Sequence, residues 1–304
     1  MRVAVTGARG RLGAALIEAL GEAPFTGPLG PIAWSRPEFD FDAPGGAIML
    51  LRRDKPEAVI HAAAWTDVDG CARDPATAHH RNALATGLLA RYCVTEGVDL
   101  VAVSTNEVFD GRRTDGHGYD PSDRPNPINA YGQSKLAGEE LARDAFRAAG
   151  PSGPFLGIVR TAWLYGPPGG DFPSKILAAG EAAADRGEAL RVVADEIGSP
   201  TFAPDLAEAI VELIGADGVH GIHHIVNTGW VSRSGWAREL FRQAKVNVAI
   251  DEVPAATWQR ASTPPAWAVL APTLLPSGEP LRSWQDALAD YLPALRRQRL
   301  APAT

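Results

Sequence analysis

The chain has 304 residues, 45% hydrophobic and 21% charged, an ordinary globular composition that excludes a disordered chain. At roughly 150 residues per domain, that length makes two domains or one large α/β unit. With 29 basic and 36 acidic residues the formal charge is −7, which excludes a nucleic-acid or anionic-membrane binder, because no basic surplus exists to neutralise phosphates. Two cysteines, Cys71 and Cys93, make neither a disulfide framework nor a zinc site, and both read as small buried residues. No apolar run reaches the ~18 residues of a membrane span. Met1–Gly7 has no secretory core, so a reduced, soluble, cytoplasmic protein without a metal is expected. Only four basic residues are lysines: Lys55, Lys135, Lys175 and Lys245.

The first strand is expected at Arg2–Thr6. It runs into Thr6-Gly7-Ala8-Arg9-Gly10-Arg11-Leu12-Gly13, a G-x-x-G-x-x-G turn from strand to helix. Glycines there allow a positive φ and let backbone N–H groups approach a pyrophosphate. The last one lets the helix pack close to the sheet. Gly7, Arg9, Gly10, Arg11, Leu12 and Gly13 are therefore candidate cofactor-binding residues. The helix Arg11–Gly21 follows, with Leu12, Leu16 and Leu20 on one face. A second strand, Ile32–Ser35, ends where an acid would hold a ribose 2′-OH. Ser35-Arg36 stands there instead and suits a 2′-phosphate, so NADP(H) is favoured over NAD(H). Asp40-Phe41-Asp42 either borders the adenine, through Asp40 and Phe41, or forms a solvated loop.

Next come a helix at Ala43–Arg53, a strand at Ala58–His61 and one long helix from Pro75 to Glu96 closed by Gly97. A strand at Asp99–Ser104, a helix at Ala130–Ala149 and a strand at Phe155–Thr161 complete the series. This alternation predicts an α/β fold, a doubly wound, Rossmann-like parallel sheet covered on both faces. After about residue 165, Pro and Gly become denser. Helices are expected at Phe172–Ala184 and Pro204–Ile214, and five of the eight tryptophans (Trp230, Trp236, Trp258, Trp267, Trp284) fall in the last quarter. The expected division is a dinucleotide-binding domain at 1–165, its sheet completed by later segments, and a smaller substrate-binding lobe at 166–304. A ligand cleft is expected between them.

Two further signals concern the chemistry. Tyr131 and Lys135 are four apart at the start of a helix, so hydroxyl and ammonium share one face. The ammonium is expected to lower the phenol pKa from its free value of about 10 toward the working range. Ser104-Thr105 ends the fourth strand, where a hydroxyl can hold a reacting carbonyl oxygen.

Together these motifs resemble the extended short-chain dehydrogenase/reductases, and within them the dTDP-4-dehydrorhamnose reductase group. The resemblance runs through Gly7–Gly13, His61–Asp69, Asn82, Ser104–Gly111, Tyr131–Glu139, Arg160–Gly166, Gly198–Thr201 and Trp284–Leu288. It implies Thr105, Tyr131 and Lys135 as catalytic residues. It implies Ala62, Ala63, Ala64 and Thr66 as the loop along the cofactor, with Ser104 beside it. Trp163 matches a sugar-pocket aromatic, and Asn106, Glu107 and Phe172 fall at substrate positions. The chain departs from the pattern at three places. Asn106-Glu107 stands for Asp-Tyr, Asp171-Phe172 for Asn-Phe and Asp195-Glu196 for Asp-Gln, which puts Asp171 and Glu196 as two acids near an anionic nucleotide. The implied activity is NAD(P)H-dependent reduction of a nucleotide-diphosphate-linked 4-keto-6-deoxysugar by a monomer or homodimer. A sugar-nucleotide epimerase or dehydratase and a non-catalytic regulatory subunit are the alternatives.

Overall fold

The computed structural model describes residues 1–216 and 219–300; residues 217, 218 and 301–304 of the expected second lobe lie outside the described residues. The first half alternates strand and helix: β1 (Val3–Thr6), α1 (Arg11–Glu22), β2 (Ile32–Trp34), α2 (Ala47–Asp54), β3 (Ala58–His61), α3 (Val68–Arg73), α4 (Pro75–Ala78), α5 (Ala85–Glu96), β4 (Asp99–Thr105), α6 (Ala130–Ala149) and β5 (Leu156–Thr161). The second half holds β6 (Leu164–Tyr165), α7 (Phe172–Arg186), β7 (Leu190–Val193), β8 (Ile197–Gly198), β9 (Thr201–Phe202), α8 (Ala203–Gly215), β10 (Gly221–His224), β11 (Val231–Ser232), α9 (Arg233–Ala244), β12 (Ile250–Val253), β13 (Trp267–Ala268) and α10 (Trp284–Leu300).

Six parallel strands form the central sheet in the order β10-β5-β4-β3-β1-β2. The chain winds from β1 to β2 and then returns to the other side of β1 as β3. Ligands of such sheets bind outside the strand carboxyl ends at this reversal. Gly7, which follows β1, and Ala62–Ala64, which follow β3, flank that crevice. Alternate strand residues face opposite layers. Val3 and Val5 pack with Leu12, Leu16 and Leu20 of α1 and with Leu206 and Ile210 of α8. Ala4 packs on the other side with Trp34, Leu51, Val59 and Leu89. The doubly wound, Rossmann-like α/β expectation is met. From the second half, α8 and β10 return to this sheet, while Leu177, Trp236, Leu240, Trp284, Leu288 and Tyr291 form a separate core. No helix among the described residues is long and apolar enough to cross a membrane.

Three local expectations need correction. Ala43–Arg53 is not one helix: Pro44–Gly46 forms a 3-10 turn, and α2 begins at Ala47, past the two glycines that weaken a helix. The Pro75–Glu96 helix is broken by a π turn at His79–Leu84. In that wide turn Asn82 accepts from the Trp65 backbone N–H at 2.8 Å and donates to the Trp65 carbonyl and Ser134 Oγ, both at 3.0 Å. These bonds tie the turn to the cofactor loop and to α6, and π turns favour functional sites. Finally, α3 was not expected; it starts at Asp67, whose carboxylate accepts the Gly70 N–H at 2.9 Å. Other ends move by one or two residues, and the strand at Ala58–His61 and helix at Ala130–Ala149 stand as expected.

Candidate active site

The turn after β1 is shaped by close backbone contact. Gly7 has φ +68°, and a Cβ there would lie 3.0 Å from the Ala63 backbone. A Cβ on Gly13 would lie 2.1 Å from the Gly7 carbonyl oxygen. Among the described residues no side chain caps the N-terminus of α1, and its first turn carries no acid. Its free N–H groups and dipole therefore face the crevice as an anion site. Behind the turn, Thr6 Oγ1 accepts the Ala63 N–H at 3.1 Å and meets His61 Nδ1 at 2.8 Å, while His61 Nε2 meets Thr86 Oγ1 at 3.1 Å. Burial, helped by the Lys135 charge, pushes the His61 pKa down to about 3, so the imidazole is neutral.

A cavity of about 470 Å³ runs from this turn to the end of β4. It gathers Gly7, Gly10, Arg11, Leu12, Gly13, Ala62, Ala64, Thr66, Ser104, Thr105, Asn106, Glu107, Tyr131, Lys135 and Trp163. Arg9, Ser35 and Arg36 line a neighbouring cavity of about 440 Å³. Ala63 supports the loop from behind through Thr6. Asp40 and Phe41 line neither cavity. Arg36 and Arg81 flank the Phe41 ring at 5.6 and 5.2 Å, and Asp40 accepts the Asp42 N–H at 3.0 Å. The Arg11 guanidinium turns across the cleft and donates to the Gly166 and Gly169 carbonyls at 3.1 and 2.6 Å. Among the described residues, no three His, Cys, Asp or Glu side chains assemble as a metal site.

At the far end, β4 delivers Thr105 and the first turn of α6 delivers Tyr131. Asn129 caps α6 by accepting the Gly132 N–H at 2.8 Å. Lys135 Nζ donates to the Val103 carbonyl at 2.8 Å, and burial pulls its pKa down to about 8 against the pull of Glu139. The expectation for Tyr131 is overturned. Burial, and then the charge of Glu107, pushes its pKa up, with only the Thr105 hydroxyl acting in the opposite sense. The ammonium that was expected to lower it is anchored on Val103 instead. Tyr131 is thus held as a neutral phenol, the form that donates a proton. The Ser104 hydroxyl is directed away from the cavity, to Glu139 at 2.5 Å, and Glu139 forms a buried pair with Arg160 at 2.6 Å.

The opposite wall comes from the second half. Trp163 has φ +41°, and the Arg233 guanidinium lies 3.5 Å from the centre of its ring. A Cβ on Gly198 would sit 2.6 Å from that ring, so the Gly198–Thr201 run leaves it room. Burial lowers the Arg233 pKa to about 10 against the attraction of Glu196, which pairs with Arg233 at 3.4 Å and with Arg260 at 3.2 Å. Beyond Arg233 lies a cavity of about 550 Å³ lined by Phe172, Lys175, Arg191, Trp258 and Arg260. Phe172 therefore belongs to this cavity and not to the catalytic one; it stacks on Trp236 at 4.9 Å. The two acids that stood out in the sequence are both occupied. Asp171 caps α7, takes the Gly166 N–H at 2.8 Å and the Tyr291 hydroxyl at 3.1 Å, and Glu196 holds its two arginines.

A family model described as RmlD substrate binding domain matches residues 1–297. The chain belongs to that family. The RmlD match covers both walls of the cleft, so it concerns the whole site and not the glycine turn alone. The dTDP-4-dehydrorhamnose reductase of Mycobacterium tuberculosis is 37% identical over 302 residues, covering 96% of this chain and 93% of the relative. The structure of the Bacillus anthracis dTDP-4-dehydrorhamnose reductase in complex with NADP superposes with a TM-score of 0.83 at 30% identity, covering 96% of this chain and 98% of that one. A Clostridium acetobutylicum dTDP-4-dehydrorhamnose reductase superposes at 0.86 and 30%, covering 97% and 100%.

Four residues of this RmlD-family site, Asn129, Arg233, Arg260 and His61, were not singled out from the sequence as site residues. Asn129 carried a readable signal, an Asn three residues before Gly132 at a helix start. Arg233 and Arg260 carried none, because only the tertiary fold brings them to the cleft.

Proposed function

We propose that this chain is an NADPH-dependent reductase of a nucleotide-linked 4-keto-6-deoxysugar, with the dTDP-linked sugars of its relatives as first candidates. The observation that carries this reading is one continuous path. Thr105, Tyr131 and Lys135 share a cavity with the glycine turn, and Arg233 lines both that cavity and the basic, aromatic one beyond it.

The cofactor fits the residues present. No Cβ fits at Gly7 or Gly13, where the turn packs backbone on backbone, and the uncapped α1 terminus suits a pyrophosphate. Among the described residues the Ser35 hydroxyl has no partner, and Arg36 is exposed beside it, which suits a 2′-phosphate. When bound, the reduced nicotinamide supplies a hydride to the keto carbon. Thr105 holds the carbonyl oxygen by a hydrogen bond. Tyr131 donates its proton to that oxygen as charge develops there. Lys135, a compact ammonium held on the Val103 carbonyl, would hold the nicotinamide ribose. In the basic cavity, Lys175, Arg191 and Arg260 face the diphosphate, and Phe172 and Trp258 offer stacking faces to the base.

The test is reduced-nicotinamide absorbance with dTDP-4-keto-6-deoxy sugars. One NADPH consumed per ketone supports reduction; turnover of the sugar with no net loss of NADPH supports an epimerase or dehydratase. Tyr131→Phe is expected to lower turnover at least ~1,000-fold while NADPH still binds, in line with the loss of a general acid.

A further inference from the structure

We propose that Glu107 selects sugars carrying a hydroxyl on the carbon next to the ketone, a proposal that rests on the reductase reading above. Glu107 is the sole carboxylate among the described residues lining the catalytic cavity. Its Oε2 accepts from Asn129 Nδ2 at 2.7 Å. Asn129 is also the cap of α6, two residues before Tyr131, so one side chain sets both the carboxylate and the phenol. The backbone is fixed as well: a Cβ on Gly132 would lie 2.0 Å from the Glu107 carbonyl oxygen, so the 3-10 turn Asn106–Val108 that follows β4 is in direct contact with α6. Glu107 lies close enough to Tyr131 for its charge to act on the phenol.

The other carboxylate oxygen, Oε1, has no donor among the described residues. Burial raises the Glu107 pKa, and Asn129, Arg233 and Arg260 oppose that rise; the ionised carboxyl only accepts hydrogen bonds, so the ligand group that meets it must donate. With the C4 carbonyl held at Thr105 and Tyr131, C5 offers a methyl group and the ring oxygen, neither of them a donor. C3 offers a hydroxyl. The charge balance points to a neutral donor. Arg233 and Arg260 face Glu107 and Glu196, two guanidiniums against two carboxylates, which leaves no surplus negative charge to draw a cationic sugar. A ligand that closes the cavity without a C3 hydroxyl strands Oε1 away from water. That stranding is what makes a site built for a hydroxyl reject the analogue lacking it.

The experiment compares kcat/KM for a dTDP-4-keto-6-deoxyhexose and its 3-deoxy analogue, in wild type and in Glu107→Gln. The Gln amide oxygen keeps the bond from Asn129 while the free acceptor becomes a donor. Wild type is expected to prefer the hydroxylated sugar by about 10- to 100-fold, the range of a hydrogen bond to a charged group. In Glu107→Gln that preference falls below about threefold, mainly through KM, with the Kd for NADPH kept. An unchanged preference in Glu107→Gln overturns the proposal, and so does a wild-type preference near one, which needs no variant to fold. If wild type reduces neither sugar, the reductase reading itself fails and takes the proposal with it.

Discussion

On the sheet side of the cleft, Gly7, Gly10 and Gly13 present bare backbone, backed by Thr6, His61 and Asn82 in neutral hydrogen bonds. On the opposite side, Trp163, Arg233, Glu196 and Arg260 form a stack of charges and rings, with Glu107 facing them from the end of β4. The first wall is shaped by missing side chains, so one added atom damages it. The second is shaped by paired charges, so it tolerates changes of volume better than changes of charge. A cofactor of fixed shape suits the first wall, and a variable sugar nucleotide suits the second.

Three measurements break or sharpen that contrast. The largest effect is expected for Gly13→Ala. The new Cβ would meet the Gly7 carbonyl oxygen at 2.1 Å and Ala8 Cα at 2.7 Å, and backbone cannot move aside as a side chain can. NADPH affinity by titration is expected to fall by about 100-fold or more, with a lower Tm, since displacing a site by about 1 Å can cost that much. Wild-type affinity in this variant would erase the distinction between the walls. Arg233→Gln comes next. It removes a charge and leaves Glu196 with Arg260, so the KM for the sugar nucleotide is expected to rise about 10-fold while the Kd for NADPH holds. Equal loss of both affinities would show that the walls do not act separately.

The effect of pH is graded and is the smallest up to about pH 9. Lys135 titrates near 8 in the folded chain against its ordinary 10.5, while Tyr131 stays protonated. kcat/KM should therefore fall above pH 8 by about tenfold per unit as the ammonium is lost. Between about 8 and 10.5 the unfolded chain binds the extra proton at Lys135, so this group makes stability rise with pH there. The urea midpoint separates loss of rate from unfolding. A falling limb near 10 instead of 8 would mean that Lys135 is not the group that titrates.

The sheet side was largely legible before the structure because its signals are local. Gly7–Gly13, Ala58–His61 and the Tyr131–Lys135 spacing each lie within a few residues, and each element formed there. The π turn at His79–Leu84 was not legible, because it depends on Asn82 bonding Trp65 and Ser134 across the fold. The direction of the Tyr131 shift was missed for a similar reason. Helix spacing brings Lys135 alongside, but only the packed structure shows the ammonium held by Val103 and Glu107 placed near the phenol. Arg11 was read at the right loop, yet Gly166 and Gly169, more than 150 residues away in sequence, claim its guanidinium. The second wall is built almost wholly from such long-range meetings.

Asn129 has a consequence for redesign. It caps the helix that carries Tyr131, and it also grips the carboxylate of Glu107. A library that varies position 107 and keeps Asn129 searches new pockets on an intact catalytic helix. A library that varies position 129 disturbs selectivity and proton donation together, and its hits cannot be assigned to either. Directed evolution toward other sugars should therefore begin at Glu107 and leave its partner alone.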